Sequence, residues 1–229
     1  MSSANGQYGL DPLHGLSCVI EKGGAITQRH DDVKYELARW VTAVGGRVRV
    51  EPRADGSQGR RRGHRRRGGG RAVPEAAPAV AAGEGKAAEG KQQEAGRKRF
   101  DLLITGLGKP IAVDVRVAHP LAPSHVERCA ADAEGVLEEA EAEKDREYRE
   151  LAEKMGATFF AFAVETTGRL GQQALAFIRL IIQEAARYKS VWAPKEVVHG
   201  IYRSVAMAVV RGNAKVVQTN LLRSRLAEW

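Results

Sequence analysis

Apolar residues first recur in the stretch RHDDVKYELARWVTAVGG, where Val33, Leu37, Trp40, Val41 and Val44 fall at helical spacing. Thr27 is a candidate N-cap for this helix, and Gly45-Gly46 is a natural stop. RVRVEP then alternates, with Val48 and Val50 on one face of a short strand. After a long interruption, RFDLLITG and PIAVDVRV form two further strand patterns joined by Gly-Leu-Gly-Lys. Phe100, Leu102 and Ile104 share a face of the first, and Ile111, Val113, Val115 and Val117 share a face of the second. The short Gly-bearing link predicts an antiparallel hairpin centred between Leu107 and Gly108.

HPLAPSH is a Pro-bearing connection to one long helix over residues 130–155, which Gly156 ends. In it Leu137, Ala140, Lys144, Tyr148 and Leu151 make the stripe that faces the sheet. TFFAFAVE reads as a buried strand, TTGRLG as a loop and QQALAFIRLIIQEAARY as an amphipathic helix. Pro194 starts a last helix, KEVVHGIYRSVAMAVVRG, with Gly200 as its weak point. The predicted fold class is α/β (α+β): a mixed central sheet in the order helix–strand–strand–strand–helix–strand, plus two C-terminal helices.

The interruption changes the domain picture. Residues 53–97 have no aromatics, few large aliphatics and abundant Gly, Ala and Arg. Such a stretch buries too little apolar surface to offset ordering entropy of about 1–2 kcal/mol per residue, so disorder is predicted. Loop closure costs little more for a long loop than a short one, so residues 25–52 and 98–229 are expected to form one domain. Residues 53–99 hold 13 Lys/Arg and 5 Asp/Glu, so the whole net charge of +8 sits there. The run GRRRGHRRRGGGR, with Arg60, Arg61, Arg62, Arg65, Arg66, Arg67 and Arg71, is a candidate phosphate-binding or nuclear-import segment. A solvated filler is the plain alternative. No apolar run approaches the ~20 residues of a membrane span. Two cysteines, Cys18 and Cys129, make no disulfide framework. With a polar N-terminus lacking a signal pattern, an intracellular place is expected, and the basic run favours the nucleus over the cytoplasm.

The candidate chemistry lies in the hairpin. Centred as above, it sets Asp101 directly across from Asp114, both off the aliphatic rows of their strands. Opposed carboxylates repel unless a cation joins them, and oxygen ligands suit Mg²⁺ or Mn²⁺. Two solvated surface acids are the alternative. A hairpin with an acid on each strand, between helix–strand and helix–strand, resembles the PD-(D/E)xK pattern of restriction-endonuclease-like nucleases. Asp101 and Asp114-Val115-Arg116 stand at its motif positions. Arg116 replaces the expected Lys and cannot act as a base, although it can stabilise developing negative charge. Lys144, inside an apolar stripe, is the substitute cation, or else it snorkels to solvent. Glu36 on the first helix is the third candidate metal ligand, while Glu51 and Glu165 at strand ends are weaker candidates.

At the level of whole motifs, HGLSC, RHDDVKYEL, VRVEP, DVRVAHPLAPS, EKDREY, AVETTGRLG and AVVRG come in an order that resembles a C-terminal domain of retrotransposon reverse transcriptases, here as a truncated stand-alone copy. In that family HxLSC closes a zinc knuckle. His14 and Cys18 match, but the upstream cysteines are absent, so residues 1–24 read as a remnant and no zinc is expected. The family also carries an acid where this chain has Tyr35. The resemblance implies a nuclease-like domain of mobile-element origin with metal-dependent hydrolysis of DNA, DNA being favoured over RNA. The alternative is a catalytically inactive nucleic-acid-binding or protein-interaction remnant of the same fold.

Overall fold

The computed structural model describes residues 24–52, 98–187 and 190–227. The basic stretch at 53–97, with the seven candidate arginines, and the segment expected to be a knuckle remnant, with His14 and Cys18, lie outside the described residues. The elements are α1 (Ala25–Ala43), β1 (Arg47–Val50), β2 (Leu102–Thr105), β3 (Ile111–Ala118), α2 (Val126–Ala131), α3 (Gly135–Lys154), β4 (Thr158–Glu165), α4 (Gln172–Arg187) and α5 (Pro194–Ala227). This is a mixed α/β fold whose sheet runs β1-β2-β3-β4. β1 and β3 are antiparallel to β2, and β3 and β4 are parallel. A parallel pair needs a crossover, and α3 supplies it.

The two rows of alternating residues bury on opposite faces. Leu102, Ile104, Ile111, Val113, Val115, Phe162 and Val164 pack under α1, α4 and α5. Leu103, Ala112, Phe159 and Ala161 pack against Tyr148 and Ala152 of α3. Burial of this kind is worth about 25 cal/mol per Å² of apolar surface and sets the register, because a one-residue slip would exchange the faces.

Local signals account for most element ends, with five corrections. α1 ends at Ala43 with Val44 as its C-cap, and Gly45 is left-handed at φ 101°. Gly45 N–H donates to Thr42 O and Gly46 N–H to Val41 O, the paired bonds of a Schellman cap. α1 starts at Ala25 rather than after Thr27, with Gly24 as the N-cap. The single long helix over 130–155 is two, broken at Asp132, whose carboxylate accepts from Glu134 N. α5 runs 34 residues, far past the predicted stop. Gly200 is no weak point, because a Cβ there would land inside the Trp40 indole, and one at Gly212 would strike the Arg29 side chain. The two glycines let α1 and α5 approach closely.

The fifth correction bears on the site. Phe100 does not share a face with Leu102 and Ile104. It packs on the α3 side, with Tyr148 at 5.6 Å and Phe159 at 6.3 Å between ring centroids. The chain bends at Asp101 before β2 begins, so the alternation breaks there. Asp101 O accepts from Glu51 N at 2.8 Å, and Phe100 N donates to Pro52 O. Glu51 takes a left-handed backbone, φ 52°, to make that bond.

Candidate functional site

The pairing of Leu102 with Val113 and Ile104 with Ile111 has the predicted hairpin centre, but it ends at Leu102, one residue short of the expected opposition of Asp101 and Asp114. The bend then sends the two carboxylates in different directions. Asp114 stays on the α3 face and is 4% exposed. The Lys144 ammonium, from the apolar stripe of α3, sits 2.8 Å from its Oδ2. The contact is a close ammonium–carboxylate pair at a buried oxygen. Burial pushes the Asp114 carboxyl up to about 6, the charge of Asp101 adds to the rise, and Lys144 opposes it.

Asp101 Oδ2 accepts Val115 N–H at 2.7 Å. That N–H would bond to β2 if the strand did not bend away, so the carboxylate replaces a missing strand partner. The same oxygen lies 3.0 Å from His30 Nε2, which is also 3.1 Å from Val115 O. His30 Nδ1 in turn lies 3.3 Å from Asp31 Oδ1. Both ring nitrogens thus face acceptors, the arrangement of an imidazolium. Burial works to lower the His30 pKa, but the Asp101 and Asp31 carboxylates together outweigh it and the net shift is upward.

Lys34 extends the network. Its side chain is 2% exposed and donates to Asp31 Oδ1 at 2.7 Å and Glu51 Oε1 at 2.9 Å. Burial disfavours its charge, but the bonds to Asp31 and Glu51 more than offset this and raise its pKa. Glu51, Lys34, Asp31, His30 and Asp101 therefore form one chain of alternating charge between α1 and the sheet.

The predicted residues divide accordingly. Lys144 pairs with Asp114, whereas the Asp101 carboxylate turns to Val115 N–H and His30. Arg116 is exposed on β3, two residues past Asp114, with Glu143 at 3.7 Å. Glu36 does not join them: it is bound by Arg39, which also donates to Ser204 of α5. At 100° per residue Glu36 lies about 120° around the helix from His30, whereas Lys34 lies about 40° away. His30 and Lys34 are the α1 residues at the site. Their signal was in the sequence, since His30 stands three before Val33 and seven before Leu37 on the buried stripe. Glu51 is bound by Lys34, and buried Glu165 is held by Thr167 and Arg169 in the turn after β4.

Carboxylate oxygens are the donors a hard dication takes, but here Asp114 is paired with Lys144, and Asp101 with Val115 N–H and His30. Among the described residues no three His, Cys, Asp or Glu side chains already stand at metal-ligand spacing. Among the same residues no helix is long and apolar enough to cross a membrane. No protein-family model matches the sequence, and no curated protein matches it.

Proposed function

We propose that the chain is a restriction-endonuclease-like domain of mobile-element origin that hydrolyses phosphodiester bonds of DNA with Mg²⁺ or Mn²⁺. The observation that carries this reading is Asp114: a buried carboxylate held against Lys144, near a second carboxylate, with its ionised form disfavoured. A fold that needed only stability would gain by losing that charge. A bound dication held by Asp114 would offset that cost.

Asp101 and Asp114 would hold the metal, which lowers the pKa of bound water and polarises the phosphate. The chain's own residues do the rest. Asp101 is fixed from three sides, by Val115 N–H, by His30 and by the backbone bond from Glu51 N–H to its carbonyl, so little reorganisation remains on binding. Lys144 would place a positive charge beside Asp114 where negative charge would build on the phosphoryl oxygens, with the Tyr148 ring 5.3 Å from its ammonium. Arg116, on the same strand face, supplies a second cation. The basic run at Arg60–Arg71 would add sequence-independent attraction to the phosphate backbone, consistent with a nuclear place of action.

The test is cleavage of supercoiled and linear DNA by the full chain with Mg²⁺ or Mn²⁺. Asp114→Asn and Asp101→Asn should abolish it and Lys144→Ala reduce it at least a hundredfold, each variant staying folded. DNA binding that persists in a wild type inert with both metals would assign the fold to binding alone.

A further inference from the structure

Beyond Asp114 the α3 face of β3 opens into a cleft of about 450 Å³ at the C-terminal end of the strand. Its walls carry Arg29, Arg116, Arg146, His119 and His125. Arg29 is the unusual one. It lies on α1 under α5, is 2% exposed, and has one bond, Nη1–H to Asn213 Oδ1 at 2.8 Å. Its Nε–H is buried with no acceptor among the described residues. Burial is the sole influence on its pKa, drawing it down to about 10, so no carboxylate compensates the charge. An unpaired buried guanidinium is costly and is ordinarily excluded from a folded core. His125 Nδ1 is a second buried nitrogen on this wall without a partner. The two acids on the α3 side are occupied: Glu139 by Arg128 at 2.7 Å and Glu143 by Arg116. The cleft therefore has a buried guanidinium with no paired carboxylate, while both of these acids are engaged.

We propose that the cleft beside Arg29 binds a phosphate group, the phosphodiester next to the scissile one on the same DNA strand. Arg116 lies two residues past Asp114, about 7 Å along β3, so a strand with one phosphate at the acid pair carries its neighbour toward the cleft. Guanidinium groups match phosphate oxygens in charge and in paired N–H geometry, which an ammonium does not. The assignment of the strand rests on the nuclease reading, whereas the anion site rests on Arg29 alone.

The experiment is thermal unfolding and fluorescence-anisotropy titration of the full chain in EDTA, with inorganic phosphate and with a short single-stranded oligodeoxynucleotide as probes. Wild type, Arg29→Met, Arg146→Ala and Asp114→Asn share the same basic segment, so differences report on the folded part. A probe at ten times its Kd should raise the wild-type Tm by about 3–6 °C. Arg29→Met should lose that shift while its Tm without probe stays equal to or above that of wild type, since an unpaired buried charge has gone. Arg146→Ala, exposed and free of folding consequences, should weaken oligonucleotide binding about three- to tenfold, and it decides the matter if Arg29→Met does not fold. A shift from phosphate that the oligonucleotide does not compete away would mark a free-phosphate site and overturn the strand assignment. Arg29→Met with a lower Tm and an undiminished probe shift would make Arg29 a structural strut and overturn the site. Asp114→Asn keeps the Arg29-dependent shift. If wild type shows that shift but never cleaves, the nuclease reading falls and the anion site stands. If it cleaves but shows no shift, the anion site falls alone.

Discussion

Replacing Asp114 by Asn should make the metal-free protein more stable at neutral pH, not less. The carboxyl is buried and its pKa stands near 6 instead of 3.8. A raised pKa means that the folded state binds the proton more tightly than the unfolded chain does. Stability is therefore fully present below pH 3.8 and is lost as pH rises through 6. The difference of about two units corresponds to roughly 3 kcal/mol at pH 7.5. Asn keeps the shape and carries no charge, so it recovers most of this. Lys144, left without its partner but 16% exposed, takes part of it back. A net gain of about 2 kcal/mol would raise the Tm by about 4–8 °C for a domain of this size. The assay is thermal unfolding of both proteins in EDTA from pH 4 to 8. The gap should be near zero at pH 4 and open between pH 4 and 7. Saturating Mg²⁺ should then raise the wild type and leave Asp114→Asn unmoved. An Asn variant less stable than wild type at pH 7.5 would refute the reasoning, because Asp114 would then be a net structural asset.

His30→Gln should remove a second pH dependence of the same sign, since the raised imidazole contributes stability below pH 6.5 that is lost as pH rises through its higher folded value; urea unfolding at pH 6 and 8 measures the change. Gly200→Ala, which in a free helix would stabilise by about 1 kcal/mol, should instead lower the Tm by several degrees because of the Trp40 indole, and Trp40→Leu should relieve part of the loss. Replacing Arg60, Arg61, Arg62, Arg65, Arg66, Arg67 and Arg71 with Ser should flatten the salt dependence of duplex binding by at most about 6 in log–log slope; an unchanged slope would move the affinity to the folded part.

Periodicity made β3, β4 and the helices legible, because their apolar rows are buried where they point, whereas Val50 of the predicted β1 row is exposed. The hairpin centre followed from a short Gly-bearing turn, and the place of Lys144 from its position in the stripe of α3. Three things were hidden. Phe100 could be assigned to the wrong face because nothing local marks the bend at Asp101, which depends on Pro52 and Glu51 pairing across a long interruption. Glu36 was the obvious acid on α1, yet it is His30 that reaches the site. A histidine on an apolar stripe reads as ordinary core until its partners are known. The length of α5 was masked by Gly200 and Gly212, whose cost in helix propensity is set against the close packing of α1, a tertiary effect that no local rule carries.

The claim on which the account turns is that Asp101 and Asp114 together hold a divalent cation. Electron paramagnetic resonance of free Mn²⁺, titrated into the full chain at pH 7.5, counts the bound ion directly. The wild type should remove Mn²⁺ from solution with a saturable site that Mg²⁺ competes for, and Asp101→Asn/Asp114→Asn should lose that site while staying folded. Identical titrations of the two proteins would contradict the account.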